Sequence, residues 1–149
     1  MLGKLNEVQI DNLLLSQSVG RIGYTDGKNP FITPVTYVFD GKYIIGQTRD
    51  GMKLNIIRKN PSVCFEVDVM VSMDNWRSVV VSGNFNELEG SEAEKAREYL
   101  FGHVLTLMTS ASVHQHQHEI TGTVDDGNRI KPIMYRIEIK EKSGRFERQ

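Results

Sequence analysis

Within six residues, Thr48-Arg49-Asp50-Gly51-Met52-Lys53, the chain gathers a hydroxyl, two cations and a glycine-freed run of backbone N–H groups. An apolar strand pattern ends at Thr48 and a helical pattern opens near Met52, so the cations stand where a helix begins. The unpaired amides of a first helical turn, the positive end of its dipole, Arg49 and Lys53 could together hold a dianionic phosphate. The same residues also make an ordinary strand–turn–helix joint, with Thr, Asp and Gly serving the turn and the cations facing water. Local chemistry alone leaves both readings open.

The elements that must position this turn are legible on either side of it. Ile32–Phe39 (ITPVTYVF) and residues 42–48 (KYIIGQT) are β-branched and aromatic, and Asp40-Gly41 between them is a strong hairpin signal. A short helix is expected over 52–59, with Met52, Leu54, Ile56 and Ile57 inward, and Asn60-Pro61 ends it. Ser62–Val69 reads as a strand covered on both faces, Met70–Asn75 as a turn, and Trp76–Glu89 as a long strand bent or bulged at Gly83. Upstream, residues 5–17 carry an imperfect helical stripe (Leu5, Val8, Leu13, Leu14, Leu15) suited to capping an open barrel end, followed by a first strand Val19–Tyr24. Ser91 with Glu94 fits a capping box opening a helix Glu92–Phe101. Residues 102–130 resist assignment, 133–140 form a last strand, and Lys142–Gln149 read as a charged tail. Short strands, frequent turns and little helix favour a mainly β chain whose antiparallel sheet closes on itself.

Composition narrows the function classes. A length of 149 residues suits one domain spanning 1–149. With 18 basic and 19 acidic residues the net charge is −1, which argues against nucleic acid as a partner. No apolar run reaches membrane-spanning length, and the N-terminal stretch lacks a signal-peptide core, so no membrane partner and a cytoplasmic location are expected. The single cysteine, Cys64, excludes an intrachain disulfide and is expected to be a small buried hydrophobe. His114-Gln115-His116-Gln117-His118 places three imidazoles in alternation, but without a Cys or Asp nearby it reads as a polar loop and no metal site is assigned. His103, between apolar neighbours, reads as a packed or capping residue. There is neither a Gly-x-Ser-x-Gly elbow nor a phosphate-binding P-loop, so hydrolase and kinase chemistry find no support.

The order of the parts resembles the FMN-binding split-barrel family of pyridoxamine 5′-phosphate oxidase, above all its small nitroimidazole-resistance-like members. The resemblance is carried by Pro34-Val-x-Tyr37, the hairpin, Gln47-Thr48-Arg49 with Lys53, the helix ending in Arg58-Lys59-Asn60-Pro61, Trp76–Gly83, and Pro132–Ile139 followed by Gly144-Arg145. It implies an antiparallel split β-barrel with a few short flanking helices, forming a homodimer with FMN in the groove between two copies. It further implies that the strand Pro34, Val35, Thr36, Tyr37 runs along the isoalloxazine, its backbone meeting the ring edge and Val35 and Tyr37 giving flat apolar contact. Gly46 and Gln47 would lie beside it. Thr48, Arg49 and Lys53, with Met52 next to them, would cradle the phosphate, and Lys53 would be its best ligand. Arg77 and Ser78 would reach the cofactor from the partner's side or the dimer seam, where an exposed apolar Trp76–Val81 face also favours two copies.

The function so implied is a flavoprotein oxidoreductase or reductase acting on an unidentified small molecule, with no side chain assigned as catalytic. The tail Gly144–Gln149 lacks the Arg-Leu…Arg-x-x-P ending of the B6 oxidases, and Gln47 stands where nitroimidazole-resistance proteins usually carry histidine. Two rivals are a flavin- or heme-binding module for storage or sensing, with His103 or His114–His118 as axial candidates, and an interaction protein with an empty barrel.

Overall fold

The computed structural model describes the backbone of residues 1–111 and 132–149 and the side chains of 1–104 and 132–149. Along these residues run β1 (Leu2–Lys4), α1 (Glu7–Ser16), β2 (Val19–Thr25), β3 (Pro30–Phe39), β4 (Tyr43–Thr48), α2 (Met52–Lys59), β5 (Ser62–Ser72), β6 (Asn75–Glu87), α3 (Gly90–Ala111) and β7 (Ile133–Glu147). The strand order is β1-β7-β4-β3-β2-β5-β6, and β6 returns to pair with β7, so the antiparallel sheet closes into a ring. Closure pairs most strands on both sides, leaving β1 and the 30–36 part of β3 with one neighbour among the described residues.

Two hairpins use the same local chemistry. Asp26 Oδ1 accepts from the Lys28 and Asn29 amides at 2.8 and 2.7 Å, and Asp40 Oδ1 accepts from Lys42 and Tyr43 at 2.8 and 2.6 Å. In each, the glycine that follows the aspartate (Gly27, Gly41) has φ +96°, a conformation that suits glycine. At Gly83 the β6–β7 register shifts as expected, and an added Cβ would lie 2.2 Å from the Glu138 carbonyl oxygen. Only glycine allows the two backbones to approach so closely there.

Alternation sorts the side chains into two layers. Ile22, Tyr37, Phe39, Ile44, Phe65, Val67, Val79, Val81 and Ile137 fill the barrel, closed by Leu13 and Leu14 of α1 and Leu54 and Ile57 of α2. A second cluster lies outside β3, β4 and β7, where Val38, Ile45 and Met134 pack beneath Ala96, Leu100 and Val104 of α3. α1 starts at a reciprocal capping box between Asn6 and Gln9, both bonds 2.8 Å.

Several expectations are corrected. The charged tail is strand: β7 continues to Glu147, because its alternating residues pair with both β6 and β1. The β5–β6 turn is only Met73-Asp74, and β5 is covered on one face: Val63, Phe65 and Val67 point inward while Cys64 is exposed. Cys64 is therefore not a buried hydrophobe; its sulfur lies where a Cβ on Gly23 would come within 2.6 Å. Likewise Val79 and Val81 are buried inside the barrel and Trp76 is half-buried, so of the apolar residues in Trp76–Val81 only Val80 is exposed, at 45%. In α1, Val8 and Leu15 face solvent and Ile10 joins the core in their place. α3 begins at Gly90 and reaches Ala111, well past Phe101, and His114–His118 lie outside the described residues.

Candidate functional site

β4 delivers Thr48 to the barrel rim, and α2 begins four residues later with Gly51 as its N-cap. No side chain caps this helix; Asn55 N–H bonds to the Gly51 carbonyl at 3.0 Å, leaving the first-turn amides without intrahelical partners. Thr48 is buried and its hydroxyl makes only a long contact, 3.4 Å, to the Arg49 carbonyl. Arg49 is exposed. Lys53 is half-buried, and burial lowers its pKa from the ordinary 10.5. Among the described residues no carboxylate pairs with Arg49 or Lys53.

Asp50, within the turn, is already engaged. Arg58, on the last turn of α2, holds Glu87 through two hydrogen bonds and Asp50 at 3.4 Å. With Asp50 held toward Arg58, the helix start offers a half-buried ammonium, an exposed guanidinium and open amides, and Asp26 lines the same cavity as Gly51 and Met52. Such a site fits a phosphate.

The strand beside it presents two different faces. Tyr37 is wholly buried: its ring meets Phe65 edge-on at 4.8 Å and its hydroxyl donates to the Leu14 carbonyl at 2.6 Å. Val35 also points into the core. The expected apolar contact of Val35 and Tyr37 with a ring therefore fails for their side chains, because β3 turns those positions into the core. The outer face of the same strands carries Pro34 and Thr36 on β3 and Gln47 on β4, just past the last ladder pair, Tyr37–Gly46. Gly46 faces inward, beneath Tyr135, whose hydroxyl would lie 2.5 Å from a Cβ there.

Tyr135 is itself unusual. It stacks on Phe85 at 4.4 Å, burial raises its pKa well above the ordinary range, and its hydroxyl has no partner among the described residues. Tyr135→Phe is expected to keep stability or raise it by about 1 kcal/mol, since an unsatisfied buried hydroxyl is removed. Thermal unfolding checks this, and a clear loss would reveal a hidden partner.

Arg77 and Ser78 are not brought to the cradle within one chain. Thr48 pairs with Ile133 and Arg77 with Phe146, thirteen residues apart along β7, while β2 and β5 separate β6 from β3. Ser78 instead donates to Glu66 at 3.1 Å, in a cluster where Arg21 reaches Glu66 and Asp68 at 3.5 Å each. Burial and the neighbouring Asp68 raise the pKa of Glu66. Arg21, opposite Pro34, was not singled out by sequence reasoning; its place follows only from the β2–β3 register.

The pattern of the pyridoxamine 5′-phosphate oxidase family matches residues 6–146, nearly the whole chain. The chain belongs to the pyridoxamine 5′-phosphate oxidase family. An uncharacterized protein of Rhizobium meliloti is 25% identical over 88 residues, and the match spans 58% of that protein's length and 59% of this chain. Among solved structures, an FAD-binding protein from Mesorhizobium loti is similar with a TM-score of 0.77 at 23% identity, covering 100% of this chain and 98% of the other. An FAD and heme binding protein from Mycobacterium smegmatis follows the same fold with a TM-score of 0.68 at 13% identity over 97% of this chain and 72% of the other. The ring of strands is thus the split β-barrel of the pyridoxamine 5′-phosphate oxidase family. No helix of the described residues is long and apolar enough to cross a membrane, and no group of three or more His, Cys, Asp or Glu among them could hold a metal ion.

Proposed function

We propose that residues 1–149 act as one flavin-binding domain, in which Lys53, Arg49, Thr48 and the first amides of α2 hold the flavin 5′-phosphate. The observation that carries this reading is the half-buried Lys53 ammonium beside an uncapped helix start, with Asp50 drawn off by Arg58. The isoalloxazine lies along the outer face of β3, meeting Pro34, Thr36, Gln47 and the backbone of Val35, Tyr37 and Gly46. The phosphate and ring named here are common to FMN, the cofactor we favour for the cradle itself, and to FAD. Met52, 71% exposed, shields the phosphate end from the side.

Two copies complete the groove. Val19 and Ile32 stand 50% and 68% exposed on the outer face of β2 and β3, beside exposed Cys64 and the Arg21–Glu66 pair. A partner covering this face would bury that apolar area and bring its own Arg77 and Ser78 toward the flavin. The activity is oxidoreduction of a small molecule in the cytoplasm. When bound, the flavin supplies the hydride or electron chemistry. The chain's own residues hold its phosphate, orient the ring against β3 and limit water at its inner face.

The test is an absorption spectrum and flavin titration of the purified protein with size-exclusion chromatography. One flavin per subunit in a dimer is expected; a protein that takes up no flavin overturns the reading, and a Soret band on loading would favour heme. A pH series adds a sharper check. Binding favours the charged form of Lys53, so affinity is full below the free protein's Lys53 pKa and falls as pH rises through it. Because burial lowers that pKa from 10.5, the fall begins at lower pH than for an exposed lysine. Lys53→Arg is expected to remove the fall, as guanidinium stays charged.

A further inference from the structure

On the outer face of β2, β5 and β6 two carboxylates share one cation. A single guanidinium nitrogen, Arg21 Nη1, stands 3.5 Å from Glu66 and 3.5 Å from Asp68, and both contacts are long for an ion pair. Ser78 Oγ donates to the other Glu66 oxygen at 3.1 Å. One cation against two anions leaves the cluster a net charge of −1 when both acids are ionised.

The register fixes what surrounds these groups. Glu66 pairs with Arg21 on β2 and with Val80 on β6, and Asp68 pairs with Ser78. Arg21 sits opposite Pro34 and Val19 opposite Thr36, so β3 brings no charge to the face. On β7, Arg145 lies opposite Ser78 and Glu141 opposite Ser82, and neither makes an ion pair with the cluster among the described residues. The remainder of the face is apolar and exposed at Val19, Ile32, Met70 and Val80, with the Cys64 thiol beside Glu66. The excess acid thus stands inside the area that a second copy would cover.

Covering it removes water from the cluster. Repulsion between two ionised carboxylates then grows and their hydration is lost, whereas one proton held between them cancels the excess charge. Glu66 is the acid that takes this proton. Its pKa already stands above the ordinary 4.5, chiefly through burial and then through Asp68 within hydrogen-bond reach, while Ser78 and Arg21 act in the opposite direction.

We propose that Arg21, Glu66 and Asp68 form a proton-operated control on the pairing of two copies: covering the face draws a proton onto Glu66, and pairing strengthens as pH falls. The proposal rests on the two-copy flavin reading above. It bears on the flavin site because Ser78, assigned there to the partner's groove, is bonded to Glu66. Pairing is independent of pH while Glu66 is ionised in both states. It strengthens as pH falls through the Glu66 value in the pair, and levels off below the value in the single copy.

The test is dissociation of the full chain, measured by dilution of fluorophore-labelled protein from neutral pH down to 4.5, with flavin titrated on the same samples. The wild-type dissociation constant is expected to fall at least about tenfold over that range, with a ceiling of about a hundredfold per pH unit for two protons per pair. Glu66→Gln, uncharged at every pH, is expected to pair at neutral pH as tightly as wild type does at the acid end, and to show no slope. A wild-type constant that is flat or rises as pH falls overturns the proposal, as does a Glu66→Gln variant that keeps the slope. If pairs persist at every dilution, carboxyl NMR decides: Glu66 titrating at or below 4.5 in the pair overturns it. Single copies at every pH remove the two-copy reading and this control with it, while flavin uptake by those single copies would leave the phosphate cradle standing.

Discussion

Tyr37→Ala is expected to cost about 3–5 kcal/mol of folding stability, the cost of deleting a fully buried aromatic ring. The ring is completely enclosed, packs edge-on against Phe65, and holds the last turn of α1 through the Leu14 carbonyl. Removing it opens a cavity between three elements that cannot all collapse into it. Tyr37→Phe separates the two contributions: the ring stays, the hydroxyl bond goes, and a loss of about 1–3 kcal/mol is expected from the stranded carbonyl. Chemical denaturation of both variants checks this. A loss below about 1 kcal/mol for Tyr37→Ala would mean that the ring is not the keystone its burial indicates. Flavin affinity of folded Tyr37→Phe is expected to be unchanged, because that hydroxyl is already bound inside the protein.

Lys53→Ala carries the opposite signature. Affinity for flavin is expected to fall by about 1.5–3 kcal/mol, roughly ten- to a hundredfold in Kd, which is the worth of a charge-assisted bond to phosphate. Stability of the ligand-free protein is expected to hold or improve slightly, since burial disfavours the Lys53 ammonium and no carboxylate among the described residues compensates it. A group kept at a cost to the free protein is one whose compensation comes from a ligand. Titration by flavin fluorescence with parallel thermal unfolding reads both numbers. Unchanged affinity would move the phosphate elsewhere and return Thr48–Lys53 to an ordinary turn. Riboflavin, which lacks the phosphate, is expected to bind wild type and variant alike.

What could be read from the chain beforehand was whatever is written in local pattern. The 52–59 helix, the Asp40-Gly41 hairpin and the Gly83 irregularity are each set by residues within a few positions, and each appears where expected. The strand–turn–helix joint at Thr48–Lys53 was legible for the same reason. Face was harder. Whether Tyr37 or Thr36 looks outward depends on which side of β3 the barrel closes, and both are ordinary strand residues. Cys64 and the valines around it hide the same ambiguity, since an apolar run does not say which of its faces is covered. The second half of β7 looked like tail because Lys142, Arg145, Glu147 and Arg148 are charged; there, pairing with β6 and β1 outweighs composition.

β7 has a role in time as well as in space. It is the strand that β1, β4 and β6 all require, and it joins Leu2 to Glu147. Until residues 133–147 have been synthesised, the nascent sheet is an open ribbon with one side of β4 and one side of β6 unpaired. Those edges are the parts of the chain most exposed to misassociation during translation, and the step that closes them joins residues far apart in sequence. Growth of the ring therefore ends in a late, long-range locking event, before which neither the barrel interior nor a cofactor site resting on it has its final shape.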